Sequence, residues 1–299
     1  MNEKNNNGNP KFGEEQAGEI MEKQRSFTTF EGGQGHGGIL SNLGFLPSLE
    51  TLILDGNNFS NIPAASISRL TRLICLKLRG CGRLESLPEL PPSIKRIYAS
   101  ECTSLMSIDQ LTKYPMLSVL SFAQCHQLVK NKQHASMVDS LLKQMHKVRF
   151  MNGATFCMYV PGVEIPEWFT YKNSGAGSIS VALPKNWFTP TFRGFTICAV
   201  FDMMTPFILG KFKYGPVVRF KFTSHDGLLC GPTICFGLLR SEKPVGLGDT
   251  FLVHVPVYVI WTTSNDHNYN IFIQLEVDFR DVHNDVVVKG LGVRLVYEN

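Results

Sequence analysis

Apolar positions between residues 49 and 128 fall into one figure written four times: LETLILDGNNF, LICLKLRGCGRL, IKRIYASECTSL and LSVLSFAQCHQL. The first apolar position of each is Leu49, Leu73, Ile94 and Leu117, in steps of 24, 21 and 23 residues, and a polar or thiol residue closes each at Asn57, Cys81, Cys102 and Cys125. Within each figure the period is two, which predicts a short strand whose successive side chains point to opposite faces. Leu52 and Leu54, Leu76 and Leu78, Ile97 and Ala99, and Leu120 and Phe122 then share a core face. Thr51, Ile53 and Asp55, Cys75, Lys77 and Arg79, Arg96, Tyr98 and Ser100, and Val119, Ser121 and Ala123 share the opposite one.

The figure fits L-x-x-L-x-L-x-x-N/C at the spacing of a leucine-rich repeat, in which stacked units bury a continuous core and the strands line a concave face. At its polar position the Asn57 amide can satisfy backbone groups as the chain turns, and a buried cysteine serves as a small apolar filler with a weak donor. The concave face suits protein recognition. On it, Lys77, Arg79, Arg96 and Tyr98 occupy neighbouring strands as a basic, aromatic-bearing patch. Arg and Tyr are enriched at interface hot spots, so these four residues are the candidate contacts to an acidic protein ligand; an ordinary solvated face is the alternative.

Beyond the repeats the period lengthens and then shortens. Over residues 131–150, Met137, Leu141, Met145 and Val148 recur at spacings of four, four and three, with Val138 and Leu142 widening the stripe, which predicts a helix closing the solenoid's end. Its basic residues Lys132, Lys143, Lys147 and Arg149 also admit a membrane-surface or calmodulin-binding reading. From residue 156 the chain alternates in strand-length runs at 156–160, 179–183, 195–201, 217–223, 251–261, 271–279 and 286–297, separated by Gly, Pro, Asn and Asp. Such runs predict a sandwich. The expected fold is an α/β solenoid of leucine-rich repeats followed by an all-β jelly-roll/Ig-like sandwich. Its expected parts are a disordered segment at 1–38, repeats at 39–130, a connecting helix at 131–150 and the sandwich at 151–299.

Composition narrows the function classes. The 299 residues carry a net charge of +4 with 18% charged positions, far from the dense positive field of a dedicated nucleic-acid binder. Eight cysteines show no C-x-x-C pair or spaced histidines, so no metal site is expected and reduced thiols in an intracellular protein are the simpler reading. The polar start MNEKNNNGNP lacks a secretory apolar core, and the uncharged stretch 227–239 is about half the length of a membrane-spanning helix. The cytoplasm is the expected location, with the nucleus a second one.

Four constellations resemble chemistry without carrying it. Gly33, Gly35 and Gly38 spell G-x-G-x-x-G, yet only a few residues separate them from Pro47, too few for a crossover helix. Ser224, His225 and Asp226 are consecutive, so their side chains diverge. Glu164 and Glu167 flank an Ile-Pro turn that tucks Trp168 and Phe169 inward, and the sequence places no two carboxylates across one cleft. Basic and aromatic residues interleave at 211–214 and 219–222, as on a strand with an aromatic inner face and a solvated basic one. No catalytic, cofactor or metal residue is assigned. A carbohydrate-binding or carbohydrate-processing jelly roll stays open as the alternative function, since fold alone does not fix function.

One passage is more specific. VPGVEIPEWF, then GSISVALPKNW, then FRGFTICAVF and the closing KGLGVRLVYEN resemble the C-terminal jelly-roll/Ig-like domain that follows the repeats (the C-JID domain) of plant TIR-type nucleotide-binding leucine-rich-repeat (TIR-NBS-LRR) disease resistance proteins. The residues carrying the resemblance are Pro161, Gly162, Ile165, Pro166, Trp168, Phe169, Gly177, Leu183, Pro184 and Trp187. It implies an intracellular immune receptor whose repeats and terminal domain bind a pathogen effector protein, without a cofactor in this region. A full-length TIR-type receptor is a second implied partner. The family's TIR domain, with its NADase activity, and its nucleotide-binding domain have no counterpart in residues 1–38. A truncated chain that senses or competes, and does not signal alone, is therefore expected.

Overall fold

A computed structural model describes residues 27–29, 46–147, 156–162, 164–175, 177–203, 216–224, 227–235, 249–260, 272–279 and 286–297. Each apolar figure forms one three-residue strand: β2 (Thr51–Ile53), β3 (Cys75–Lys77), β4 (Arg96–Tyr98) and β5 (Val119–Ser121). They pair in parallel without slippage, with Leu52, Leu76, Ile97 and Leu120 side by side. Ahead of them β1 (Phe27–Thr29) pairs with β2 in the same sense, Phe27 opposite Thr51. The rest of residues 1–38, including Gly33, Gly35 and Gly38, lies outside the described residues.

The turns after these strands repeat as closely as the strands do. Gly56, Gly80, Glu101 and Gln124 occupy one position in successive figures, with φ of 69°, 68°, 63° and 61°. Glycine takes this left-handed conformation freely, whereas the glutamate and glutamine persist there because the stack holds them. Next in each figure comes the polar-or-thiol position. Asn57 Nδ2 donates to the Leu54 carbonyl at 2.9 Å, Cys81 donates to the same carbonyl at 3.1 Å, Cys102 to Leu78 at 3.1 Å and Cys125 to Ala99 at 3.0 Å. Each thiol thus satisfies a carbonyl of the preceding unit, which a buried aliphatic residue could not do.

After β5 come a short helix, His126–Lys130, and a longer one, His134–Lys147, whose Met137, Val138, Leu141 and Leu142 are buried. The chain then enters β6 (Phe156–Pro161), β7 (Tyr171–Ser174), β8 (Ser178–Ala182), β9 (Phe192–Met203), β10 (Pro216–Ser224), β11 (Gly227–Cys235), β12 (Asp249–Pro256), β13 (Phe272–Phe279) and β14 (Val286–Tyr297). The strand expected over 251–261 instead ends at Pro256, followed by a helical turn, Val257–Ile260. Proline brings no amide to a ladder.

No break separates the two halves of the chain. β6 pairs in parallel with β5, and one ten-stranded sheet runs β1-β2-β3-β4-β5-β6-β12-β9-β14-β7, while a second sheet is ordered β11-β10-β13-β8. One face of the large sheet is paved by Leu52, Leu76, Ile97, Leu120, Met158, Leu252 and Cys198, register partners in turn and all fully buried. Each fully buried leucine contributes about 1.5–3 kcal/mol. Across β6, β12, β9 and β14 the other face carries Tyr159, Phe251, Ala199 and Leu291, which form a second core with Val181 of β8 and Phe220 of β10. Phe195 and Phe220 meet between the sheets with ring centroids 5.8 Å apart. The face lined by Ile53, Lys77 and Tyr98 therefore becomes, four strands on from β2, at Tyr159 of β6, the interior between two sheets.

Candidate functional site

The four residues singled out on β3, β4 and the turn after β3 differ sharply in what they present. Arg79 is pinned by Asp55: the carboxylate accepts from the Arg79 backbone amide at 2.9 Å, from Nε at 3.0 Å and from Nη2 at 2.7 Å. Its side chain is 13% exposed. Lys77 is half-buried and Arg96 exposed, and they lie diagonally on adjacent strands because Cys75 pairs with Arg96 and Lys77 with Tyr98. Tyr98 is 5% exposed. Strand alternation gave it the correct face, but that face is already closing toward the second core at Ser121 and Tyr159. Lys77 and Arg96 supply the positive charge still presented, and Tyr98 underlies it.

Cys75 lies among these residues without becoming reactive. Burial pushes its thiol upward in pKa, against the lowering influence of Arg96, Lys77 and Arg79. Hydrogen bonding along the thiol ladder, followed by burial, likewise raises Cys81 and Cys102, and burial raises Cys198. A nucleophile needs the opposite shift.

The terminal motif residues converge on β14. Ile165 and Phe169 lie on Gly290 and Gly292: a Cβ added at Gly292 would sit 2.6 Å from Ile165 Cγ2 and 3.0 Å from Phe169 Cδ1, and one at Gly290 would sit 3.1 Å from Ile165 Cδ1. Only glycine permits that approach. The Pro166 carbonyl accepts from the Phe169 amide, closing the turn that presents both side chains. Trp168 stacks on Phe169, centroids 4.3 Å apart, and carries the Arg294 guanidinium 5.0 Å above its ring, a cation–π arrangement. Gly177 lies in the turn before β8, and Leu183 packs against the second core. The Pro184 carbonyl accepts from the Trp187 amide, and the Trp187 carbonyl accepts from the Tyr297 hydroxyl at 2.9 Å. Trp187 is 5% exposed and lies edge-on to Phe188 and Phe192. The two motif segments thus contact β14 at its middle and at its C-terminal end.

Pro161 and Gly162 belong to a different contact. The Pro161 carbonyl accepts from His134 Nε2 at 2.9 Å, joining β6 to the helix His134–Lys147, and Gly162, at φ 62°, abuts Val129.

Other constellations assemble little. Ser224 pairs with Gly227 across the β10–β11 turn, while His225 and Asp226 lie outside the described residues. Glu164 and Glu167 are both exposed. Among the described residues no group of three or more His, Cys, Asp or Glu is arranged to hold a metal, and no helix is long and apolar enough to cross a membrane.

Comparison with known proteins agrees with the motif residues. Residues 160–299 match the C-JID domain model. The chain is similar to the Disease resistance-like protein DSC1 of Arabidopsis thaliana, 31% identical over an alignment of 173 residues that covers 53% of this chain and 14% of that protein. It is also similar to the TMV resistance protein N of Nicotiana glutinosa, 33% identical over 168 residues, covering 54% of this chain and 14% of the relative. A longer match, 23% identical over 279 residues, covers 84% of this chain and 23% of the Disease resistance protein LAZ5 of Arabidopsis thaliana. The chain therefore spans well under a third of the length of each of these relatives.

Proposed function

We propose, for a chain whose residues 160–299 are a C-JID domain and whose relatives are plant disease resistance proteins, that it acts as the recognition module of a plant immune receptor. The observation that carries this reading is the unbroken sheet. A face presenting Lys77 and Arg96 runs in register up to the C-JID domain, where it closes into the interior between the two sheets, so a ligand seated on that face would abut the C-JID domain. Four in-register parallel strands, the thiol ladder and the repeated left-handed turns support reading residues 39–130 as a leucine-rich-repeat solenoid, 131–150 as its closing helix and 151–299 as a jelly-roll/Ig-like sandwich.

The ligand class is an acidic protein, and in this family context a pathogen effector. Lys77 and Arg96 supply charge for steering and contact, Arg79 is held as framework by Asp55, and Tyr98 becomes a contact only where a partner reaches into the closing face. The module is read as non-enzymatic and cytoplasmic, with a full-length TIR-type receptor as a second partner. A carbohydrate-binding jelly roll would call for outward aromatics, and Trp187 and its ring neighbours Phe192 and Phe195 are turned inward.

The test is co-purification of the full chain with a panel of acidic effector proteins, comparing wild type with Lys77→Ala/Arg96→Ala and Arg96→Ala/Tyr98→Ala, each checked by circular dichroism. Both double variants should lose the captured partner while keeping the wild-type spectrum. Undiminished capture by folded variants places recognition elsewhere, on the loops of the C-JID domain.

A further inference from the structure

Hydrogen bonds between successive units follow a strict series. The amide after each strand donates to the next strand's last residue: Leu54 to Lys77 at 2.8 Å, Leu78 to Tyr98 at 2.7 Å and Ala99 to Ser121 at 2.8 Å. Phe122 continues the series to Tyr159 of β6 at 2.8 Å. At the other end of the strands, the Arg96 amide donates to Ile74 at 3.0 Å and Val119 to Lys95 at 3.2 Å, and Cys157 of β6 donates to Ser118 at 2.9 Å. β6 opens the second half of the chain, yet it is bonded as the strand of one more repeat.

The series breaks at one point. Each left-handed turn residue donates to the carbonyl two residues beyond the next strand's last member: Gly56 to Arg79 at 2.7 Å, Gly80 to Ser100 at 2.9 Å and Glu101 to Ala123 at 2.8 Å. By the same offset Gln124 should donate to Pro161, but the Pro161 carbonyl accepts from His134 Nε2. The Gln124 amide instead donates to Oδ1 of Asp249 at 3.3 Å. Asp249 is the register partner of Pro161 on β12 and is 1% exposed. A side-chain carboxyl oxygen on the neighbouring strand therefore stands where the next unit's carbonyl would stand.

We propose that β6 is a surrogate repeat strand and that Asp249 is the positioning residue that completes it, holding the C-JID domain in fixed register on the last repeat. Held this way, the concave face and the adjoining strands of the C-JID domain keep one relative placement, and a partner spanning both loses little further freedom on binding. The inference deepens the recognition reading but rests on the bonding series, and ligand capture has no part in its test.

Amide hydrogen exchange on the full chain, read by NMR, decides it. In the wild type the Gln124 amide should be protected to about the degree of Glu101, since buried bonded amides open only with their cooperative unit. Asp249→Ala should lower Gln124 protection by about tenfold or more while Glu101 and Gly80 keep theirs, and Asp249→Asn, which retains a side-chain oxygen acceptor, should restore most of it. Unchanged Gln124 protection in Asp249→Ala overturns the proposal. So does a wild-type Gln124 amide that exchanges like an exposed one, an outcome readable even if the alanine variant does not fold.

Discussion

The thiol of Cys102 donates a hydrogen bond to the carbonyl of Leu78 across 3.1 Å, one repeat away in the stack, and Cys81 and Cys125 do the same for Leu54 and Ala99. Because all three are fully buried and free, Ellman's reagent should leave them unmodified in the native chain and titrate them once denaturant opens the stack. Cys102→Ala, which removes one of two hydrogen bonds to the Leu78 carbonyl and leaves the Cys81 amide on it at 3.2 Å, should cost about 0.5–1.5 kcal/mol in urea unfolding. Rapid native labelling of these three thiols would show that the stack does not enclose them.

Leu76 and Lys77 are chain neighbours on opposite faces of β3. Leu76→Ala should destabilise by about 2–5 kcal/mol, the usual cost of truncating a buried leucine, and Lys77→Ala, at a half-buried surface site, by well under 1 kcal/mol. Urea midpoints compare the two directly. The reverse ranking is incompatible with the register of Leu76 against Leu52 and Ile97.

Gly292 has no room for a side chain beneath Ile165. Gly292→Ala should cost about 1–3 kcal/mol through overpacking, and Ile165→Ala in the same chain should recover part of that loss, giving a coupling energy in a double-mutant cycle of about 0.5 kcal/mol or more. Strictly additive effects would mean that the two positions do not touch.

His134 adds a pH dependence. It is buried, Nε2 donates to Pro161, Nδ1 has no hydrogen-bond partner among the described residues, and burial lowers its pKa below the ordinary value. The unfolded chain then binds the proton more readily than the folded one. This residue's contribution to stability is therefore intact above about pH 6.5 and is lost as pH falls through that value toward the folded pKa. Thermal unfolding at pH 7.5 and pH 5.5 should show a fall in Tm, smaller in His134→Gln, whose amide can still donate to Pro161. An equal fall in both chains would assign the acid sensitivity to other groups.

Short strands and their buried faces were legible because period two in LETLIL or LICLKL is a local property of the chain. The second half was legible as strand-forming for the same reason, and the motif residues as a family resemblance. What escaped was set by distant partners. β7, written YKNS, has no alternation to read and exists because β14 offers it an edge. Tyr98 occupies its expected strand and is 5% exposed, a cover that the alternation placing it on that face does not record. Asp249 sits in a polar gap whose meaning depends on Gln124, far away in sequence. Thr51–Ile53 and Asp249–Pro256 belong to one sheet, yet nothing local to either segment records it.

The bond that β6 accepts from the stack asks only for the backbone amide that follows the last repeat strand, whatever side chain stands there. Gene rearrangements that duplicate or delete a whole unit of some two dozen codons would therefore hand β6 an equivalent docking site each time. Lineages could lengthen or shorten the array, and so reshape what it grips, while inheriting the terminal domain unaltered.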